Sequence, residues 1–356
     1  MTSHVGLLLV NLGTPDAPRP REVRRYLREF LSDPRVLDVP TLQRFLILEL
    51  LILPRRPRVS AAAYQKIWTP QGSPLLVHSR ALAGRVQERL GGAVRVELAM
   101  RYGNPSIASA LDRFKRAGVD RLVVFPLYPQ YSAAATGSTI ARVLELAAPH
   151  WNTPYLQVIP PFYDHPAFLE ARAEVARPYL ADGTAERVFM SFHGLPERQV
   201  RRSDSTGSRC LVQADCCAAV GPANRYCYRA HCYATARALA ERLGLTPEQV
   251  VVCFQSRLGR TPWLRPQTDQ VLADEARKGV RKAVILSPGF VADCLETLEE
   301  LGIRGVETWK ANGGETLSLV PALNDSERFA EAVIEIAADN STWLKREIAW
   351  NKGVAP

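Results

Sequence analysis

A chain of 356 residues is long for one core and divides more naturally into two domains. Its 47% hydrophobic and 23% charged content is that of an ordinary globular protein, which excludes a disordered or membrane-embedded chain. The formal charge of +9, from 45 Lys+Arg against 36 Asp+Glu, suits nucleic acid, an anionic membrane surface or an acidic ligand. No basic run is interleaved with aromatics and no nucleic-acid motif occurs, so nucleic acid is set aside.

No cationic region precedes the apolar residues 6–10, which are too few for a signal core and read as a first strand over 6–11. It runs into Leu-Gly-Thr-Pro at 12–15. Helical patterns follow at 20–31, 42–53 and 75–90. Within the second, residues 45–53 form the longest apolar run, about half of a ~20-residue membrane span, and it contains Glu49. Pro-Arg-Arg-Pro-Arg follows at 54–58. A buried helix with a basic stop is one reading of this stretch; an apolar lip beside a basic patch, resting on a membrane or admitting an apolar ligand, is the other. The expectation is a cytoplasmic protein, with peripheral contact on the inner face of the membrane as its refinement. A strand over 94–100 then ends in Arg101-Tyr102-Gly103, a helix spans 106–117, and a strand over 121–125 runs into Pro-Leu-Tyr-Pro-Gln-Tyr-Ser at 126–132. A helix at 136–146 and a strand at 155–159 complete a first domain of residues 1–160.

The second half repeats the plan. Residues 187–190 make a β-branched and aromatic run that continues into Ser-Phe-His-Gly-Leu-Pro at 191–196, echoing Gly-x-Pro at 13–15. The strand at 250–254 followed by Gln-Ser-Arg echoes 94–100 followed by Arg101, and 282–286 followed by Ser-Pro-Gly-Phe echoes 121–125 followed by Pro126. Helices at 228–243, 266–277 and 294–301 separate these strands. Strand alternating with helix at this rhythm predicts an α/β fold with a parallel sheet covered on both faces. The repeat predicts two such domains across a cleft. The second domain spans 161–324 with an insert at 203–232, and a C-terminal segment, 325–356, with a helix at 325–338, packs back on the body.

A strand that delivers a histidine to its carboxyl end places it where open α/β sheets bind ligands, so His193 is the candidate base; a hydrogen-bonded core histidine is the competing reading. Asp293, Glu296 and Glu300 stand at i, i+3 and i+7, one face of an α-helix, with Glu299 beside it. Carboxylates in a row repel unless protons or cations pass between them; a solvated acidic face is the plainer alternative. There is no Gly-x-Gly-x-x-Gly and no P-loop, so no nucleotide cofactor is indicated. Six Trp and 11 Tyr, several at strand ends, suit a flat apolar ligand with an anionic rim.

Of seven cysteines, Cys210, Cys216, Cys217, Cys227 and Cys232 fall within 23 residues. Disulfides are not expected in a reducing compartment. The spacing lacks the close pairs of zinc ribbons and leaves zinc, an iron–sulfur cluster or free thiols open.

Taken together, residues 7–15, Arg101-Tyr102, 126–132 with 136–138, 191–196, Gln255-Ser256 with Pro262-Trp263 and 266–268, and 290–301 resemble ferrochelatase. The match runs from about residue 6 to 325. The resemblance implies two Rossmann-like domains, each with a parallel sheet flanked by helices and an active-site cleft between them. It implies insertion of Fe²⁺ into protoporphyrin IX to give protoheme, with His193 and Glu296 catalytic and in contact with the substrate iron. Arg101, Tyr102, Tyr131, Ser132, Trp263, Asp293 and Glu300 would form the pocket. Some relatives carry histidine where this chain has Cys294, so a second nitrogen ligand is missing. Some also bind a [2Fe–2S] cluster; here its ligands would be Cys210, Cys217, Cys227 and Cys232, with Cys216 able to replace Cys217. A chelatase for another tetrapyrrole such as coproporphyrin III, or a non-catalytic heme or metal carrier, remains the alternative. The expected form is a monomer or homodimer.

Overall fold

The computed structural model describes residues 4–259 and 261–351. The chain forms two compact units, one comprising the residues up to Tyr128, Ala133–Pro161 and those from Asp325 onward, the other Pro129–Ser132 with Phe162–Asn324. Residues 352–356 of the expected C-terminal segment lie outside the described residues.

The first unit is built on a four-stranded parallel sheet, β1 (Val5–Thr14), β2 (Val94–Gly103), β3 (Arg121–Pro126) and β4 (Tyr155–Val158), in the order β2-β1-β3-β4. β1 is central. Leu7, Leu8, Leu9 and Val10 are all fully buried, as a strand covered on both faces requires, and each such side chain contributes about 1.5–3 kcal/mol. One face packs on helix Ile107–Arg116 through Leu8, Val10, Ile107, Leu111 and Phe114. Gly13 has no alternative: at φ +121° a Cβ would lie 1.8 Å from the Tyr102 carbonyl oxygen of β2.

The second unit repeats this arrangement with β5 (Arg187–His193), β6 (Val250–Gln255), β7 (Lys282–Leu286) and β8 (Thr316–Leu319), all parallel, in the order β6-β5-β7-β8. Its core joins Phe189, Ile285, Leu272, Leu301 and Trp309. Gly194 matches Gly13 in role, because a Cβ there would meet the main-chain oxygens of Ser256 at 2.9 Å and Gln255 at 3.1 Å. In both sheets the winding reverses beside the first strand, and the carboxyl edge at such a reversal is where open α/β sheets bind ligands.

Two expectations need correcting. The helix carrying the acidic residues runs over Glu296–Gly305 with wider, π-type turns, so Asp293 precedes it in a loop and does not share its face. Residues 45–53 are not a buried helix. Thr41–Leu46 is α-helical, Ile47–Ile52 widens so that Leu53 N–H bonds to Leu48 carbonyl, and only Leu48 and Leu53 are buried.

Candidate functional site

His193 is the last residue of β5 and is half-buried. Its Nδ1 lies 2.6 Å from the Gly194 carbonyl oxygen. A carbonyl only accepts, so Nδ1 carries the hydrogen and Nε2 holds the lone pair of the neutral ring. Trp263 and Phe290 flank the imidazole, with ring centroids at 6.4 and 6.3 Å. The Trp263 Nε1–H donates to Leu258 carbonyl at 3.0 Å, and Trp263 bridges to Pro196, which holds its loop beside the histidine.

Gln255 ends β6 as the ladder partner of His193, and its carbonyl accepts from Gly194 N–H at 2.6 Å. Its buried side chain accepts from Ser191 Oγ at 2.8 Å and donates from Nε2 to the Glu296 carbonyl oxygen at 2.9 Å. The next residue, Ser256, adopts φ +63° and donates twice to Glu300. Asp293 is committed elsewhere: it accepts from Thr297 Oγ1 (2.9 Å), Asn324 Nδ2 (2.7 Å) and Ala322 N–H (3.2 Å). The carboxylate of half-buried Glu296 faces the Cys294 thiol. Burial, then the Glu296 charge, pushes that thiol well above its usual pKa, so it stays protonated and donates to the carboxylate. His193, Trp263, Glu296 and Glu300 therefore belong to one connected edge of the second sheet, while Asp293 supports the loop that begins it.

Pro129–Ser132 packs with this same unit. Gln130 Nε2 donates to Thr235 Oγ1 at 3.0 Å, and Tyr131 N–H donates to His231 Nδ1 at 3.2 Å. His231 Nε2–H in turn donates to the Arg225 carbonyl, and its ring stacks on Tyr163 at 3.8 Å. Burial pushes its pKa down to about 4, so it is a neutral acceptor. The Tyr131 ring rests against Tyr226 at 5.1 Å, and Ser132 is buried nearby.

In the first unit, Arg101 and Tyr102 leave the end of β2 for a residue the sequence reading passed over. Asp33 accepts from Arg101 Nη2 (2.6 Å), Tyr102 hydroxyl (2.9 Å) and Ser138 Oγ (2.5 Å). Burial alone would raise its pKa. The bonds from Ser138, Arg35 N–H and Tyr102 and the Arg101 charge outweigh that and hold it below the usual value. Tyr102 is fully buried with its hydroxyl satisfied.

The cysteine insert is organised by side chains. Asp204 accepts from Arg209 and Cys210 N–H, and Asn224 bonds Cys216 and Ala219 carbonyls and Gly221 N–H. All seven cysteines of the chain are buried and free. Cys227 contacts both Cys210 and Cys217, and Cys216 Sγ lies 3.8 Å from Cys217 Sγ. Arg229 Nη1 sits 3.2 Å from Cys217 Sγ and 3.7 Å from Cys216 Sγ, and its guanidinium covers Tyr233. Cys232, one turn into helix Tyr228–Leu243, is instead engaged by Tyr228. Among the described residues no three His, Cys, Asp or Glu side chains stand arranged to hold a metal ion.

A family model described as Ferrochelatase matches residues 4–341. The chain is 45% identical over 333 residues to the Ferrochelatase of Coxiella burnetii (strain Dugway 5J108-111), covering 94% of this chain and 93% of that protein. It is 45% identical over 331 residues to the Ferrochelatase of Legionella pneumophila (strain Corby), covering 93% and 98%. Among solved structures it aligns with SirB from Bacillus subtilis with Fe3+ at a TM-score of 0.49 and 12% identity, over 98% of this chain and 97% of that one.

Proposed function

This chain belongs to the ferrochelatase family, and on that premise we propose that it is a ferro-lyase inserting Fe²⁺ into protoporphyrin IX to give protoheme. The observation that carries the residue assignment is the Nδ1 bond of His193 to Gly194, which leaves Nε2 as a base held at a strand's carboxyl end. A free porphyrin holds two inner N–H protons, and its planar ring turns the nitrogen lone pairs toward one another. Insertion therefore releases two protons for each Fe²⁺ taken up, and a ring bent out of plane exposes the pyrrole nitrogens to both base and metal. Binding contacts remote from the nitrogens supply that strain. His193 takes a pyrrole proton; Glu296, with Glu300 further along its helix, offers carboxylate oxygens to iron or proton. Tyr131, Ser132 and Trp263 of the second unit shape the macrocycle pocket, and Asp293 holds the loop that leads to Glu296.

Turnover with protoporphyrin IX and with coproporphyrin III, each with anaerobic Fe²⁺, tests the substrate. Preference for protoporphyrin supports the reading, and preference for coproporphyrin replaces it with the other tetrapyrrole. A carrier without catalysis would tolerate Glu296→Ala; an enzyme using that carboxylate would not.

The same reading assigns a [2Fe–2S] cluster to four of the five clustered cysteines: Cys210, Cys217, Cys227 and Cys232, with Cys216 as a substitute. The sulfur contacts join Cys227 to both Cys210 and Cys217. The cluster's iron is resident, distinct from the substrate iron. We further assign a peripheral membrane contact to the segment near residue 50. No helix among the described residues is long and apolar enough to cross a membrane. Leu42, Phe45, Leu50, Leu51 and Val59, however, are each 59–70% exposed, beside exposed Arg55, Arg56 and Arg58. Such a site would hold the protein on the inner face of the membrane.

A further inference from the structure

The bonds around Gln255 form a chain with a fixed direction. Thr268 Oγ1 and Ser191 Oγ lie 2.8 Å apart, and Ser191 Oγ donates to Gln255 Oε1 at 2.8 Å. Ser191 has one hydroxyl hydrogen, so the Thr268 hydroxyl must donate to Ser191. The amide is thereby oriented: its oxygen faces Ser191 and its NH₂ faces the Glu296 carbonyl. Turned over, it would set oxygen against oxygen at Glu296. All three side chains are buried, at 0–3% exposure, where an unmet donor or acceptor is costly. The main chain of Gln255 meanwhile pairs with His193 in the sheet and accepts from Gly194, the residue whose carbonyl fixes the imidazole. One residue thus holds His193 through its backbone and the first residue of the acidic helix through its side chain.

We propose that Gln255 is a positioning residue that sets the distance and angle between the His193 imidazole and the Glu296 carboxylate. This rests on the proposal that those two groups perform proton removal and metal delivery. Gln255 touches no reacting atom. Its effect is on geometry, so it belongs in the rate of insertion and not in porphyrin affinity. Methionine at 255 keeps the volume and loses both bonds. Glutamate keeps the acceptor for Ser191 and replaces the donor to Glu296 with an oxygen.

The test compares Gln255→Met, Gln255→Glu, Ser191→Ala and His193→Ala for kcat, for porphyrin KM and for porphyrin binding by fluorescence quenching. Ser191→Ala removes the bonds to Gln255 and Thr268 but leaves the one from Gln255 to Glu296, and serves where the Gln255 variants do not fold. The expected result is a kcat lowered about 10- to 100-fold in both Gln255 variants, with a smaller loss for Ser191→Ala. KM and porphyrin affinity should stay within about 3-fold of the parent, a split that general loosening of the unit would not produce. A folded Gln255→Met with kcat within about 2-fold of the parent overturns the proposal, as does a fall in affinity equal to the fall in kcat. If neither Gln255 variant folds, an unchanged kcat in Ser191→Ala overturns it. His193→Ala separates the two levels: if it keeps turnover, the underlying assignment fails; if it is inactive while Gln255→Met is unimpaired, only the role of Gln255 fails.

Discussion

Ser256 and Glu300 are joined twice, by the Ser256 N–H to Oε1 at 2.9 Å and by its hydroxyl to Oε2 at 2.5 Å. Ser256 sits at φ +63°, a conformation that costs a non-glycine residue about 1–2 kcal/mol. The carboxylate therefore holds the residue after β6 in a shape it would not otherwise keep, and that turn adjoins His193 through Gly194. Ser256→Ala keeps the strained backbone and loses the charged hydrogen bond. Its stability should fall by about 1.5–3 kcal/mol, measured by denaturant unfolding. Ser256→Gly loses the same bond but sheds the strain and should recover about 1 kcal/mol of it.

Asp33 anchors the corresponding region of the first unit. It neutralises Arg101 and accepts from Tyr102 and Ser138 with almost no exposure. Asp33→Ala leaves a guanidinium uncompensated in a site that is mostly closed, so the loss should be about 3–5 kcal/mol. Asp33→Asn keeps an acceptor and should cost less. Equal unfolding midpoints for Asp33→Ala and the parent would show that the buried pair is not needed.

His231 gives the protein an acid-sensitive contact. Above pH 6.5 the ring is neutral in both folded and unfolded chains. Between pH 6.5 and about 4 the unfolded chain binds a proton that the folded chain refuses, so stability falls as acid is added. The slope is at most about 1.4 kcal/mol per pH unit, and the total is about 3 kcal/mol. Unfolding free energies measured from pH 7 to 5 should decline in the parent and flatten in His231→Gln. The same slope in both would remove His231 as the cause.

The cysteine insert makes a compositional prediction. Purified protein should be red-brown, with about two iron and two acid-labile sulfide per chain. Removing Cys210 or Cys227 should abolish both, while removing only one of Cys216 and Cys217 should do so. Colourless, zinc-loaded protein would reject the cluster.

The exposed apolar segment predicts vesicle binding. Leu50→Ser with Leu51→Ser alters two exposed side chains, so the fold should be untouched. Cosedimentation with anionic phospholipid vesicles should weaken about 10-fold or more. Unchanged sedimentation would argue against this surface.

What the residue pattern revealed, and what it hid, follows from how local each signal is. The apolar runs of β1, β3 and β5 are buried on both faces and are visible as uninterrupted hydrophobic stretches. β8 is four residues, Thr316–Leu319, too short to carry a period, and the helix Pro166–Ala176 has little amphipathic pattern because it is buried nearly all round. Residue spacing puts Asp293 in the acidic row only because it assumes an α-helical pitch. Bonds from Asn324 and Ala322, about 30 residues away, hold that residue in a loop, and the helix then starts with wider turns. Asp33 was passed over because its partners at 101, 102 and 138 are 68–105 residues distant. His193 was legible because a polar ring at the end of an apolar strand contrasts with what precedes it. The bond that selects its tautomer was not, since it depends on backbone geometry at Gly194.

The central claim is that the Nε2 lone pair of His193 accepts a pyrrole proton during iron insertion. The measurement that tests it most directly is anaerobic turnover of His193→Ala with Fe²⁺ and protoporphyrin IX, beside porphyrin binding by the same protein. A loss of about 10²- to 10⁴-fold in kcat with porphyrin still bound is the predicted result. Turnover near that of the parent would contradict it.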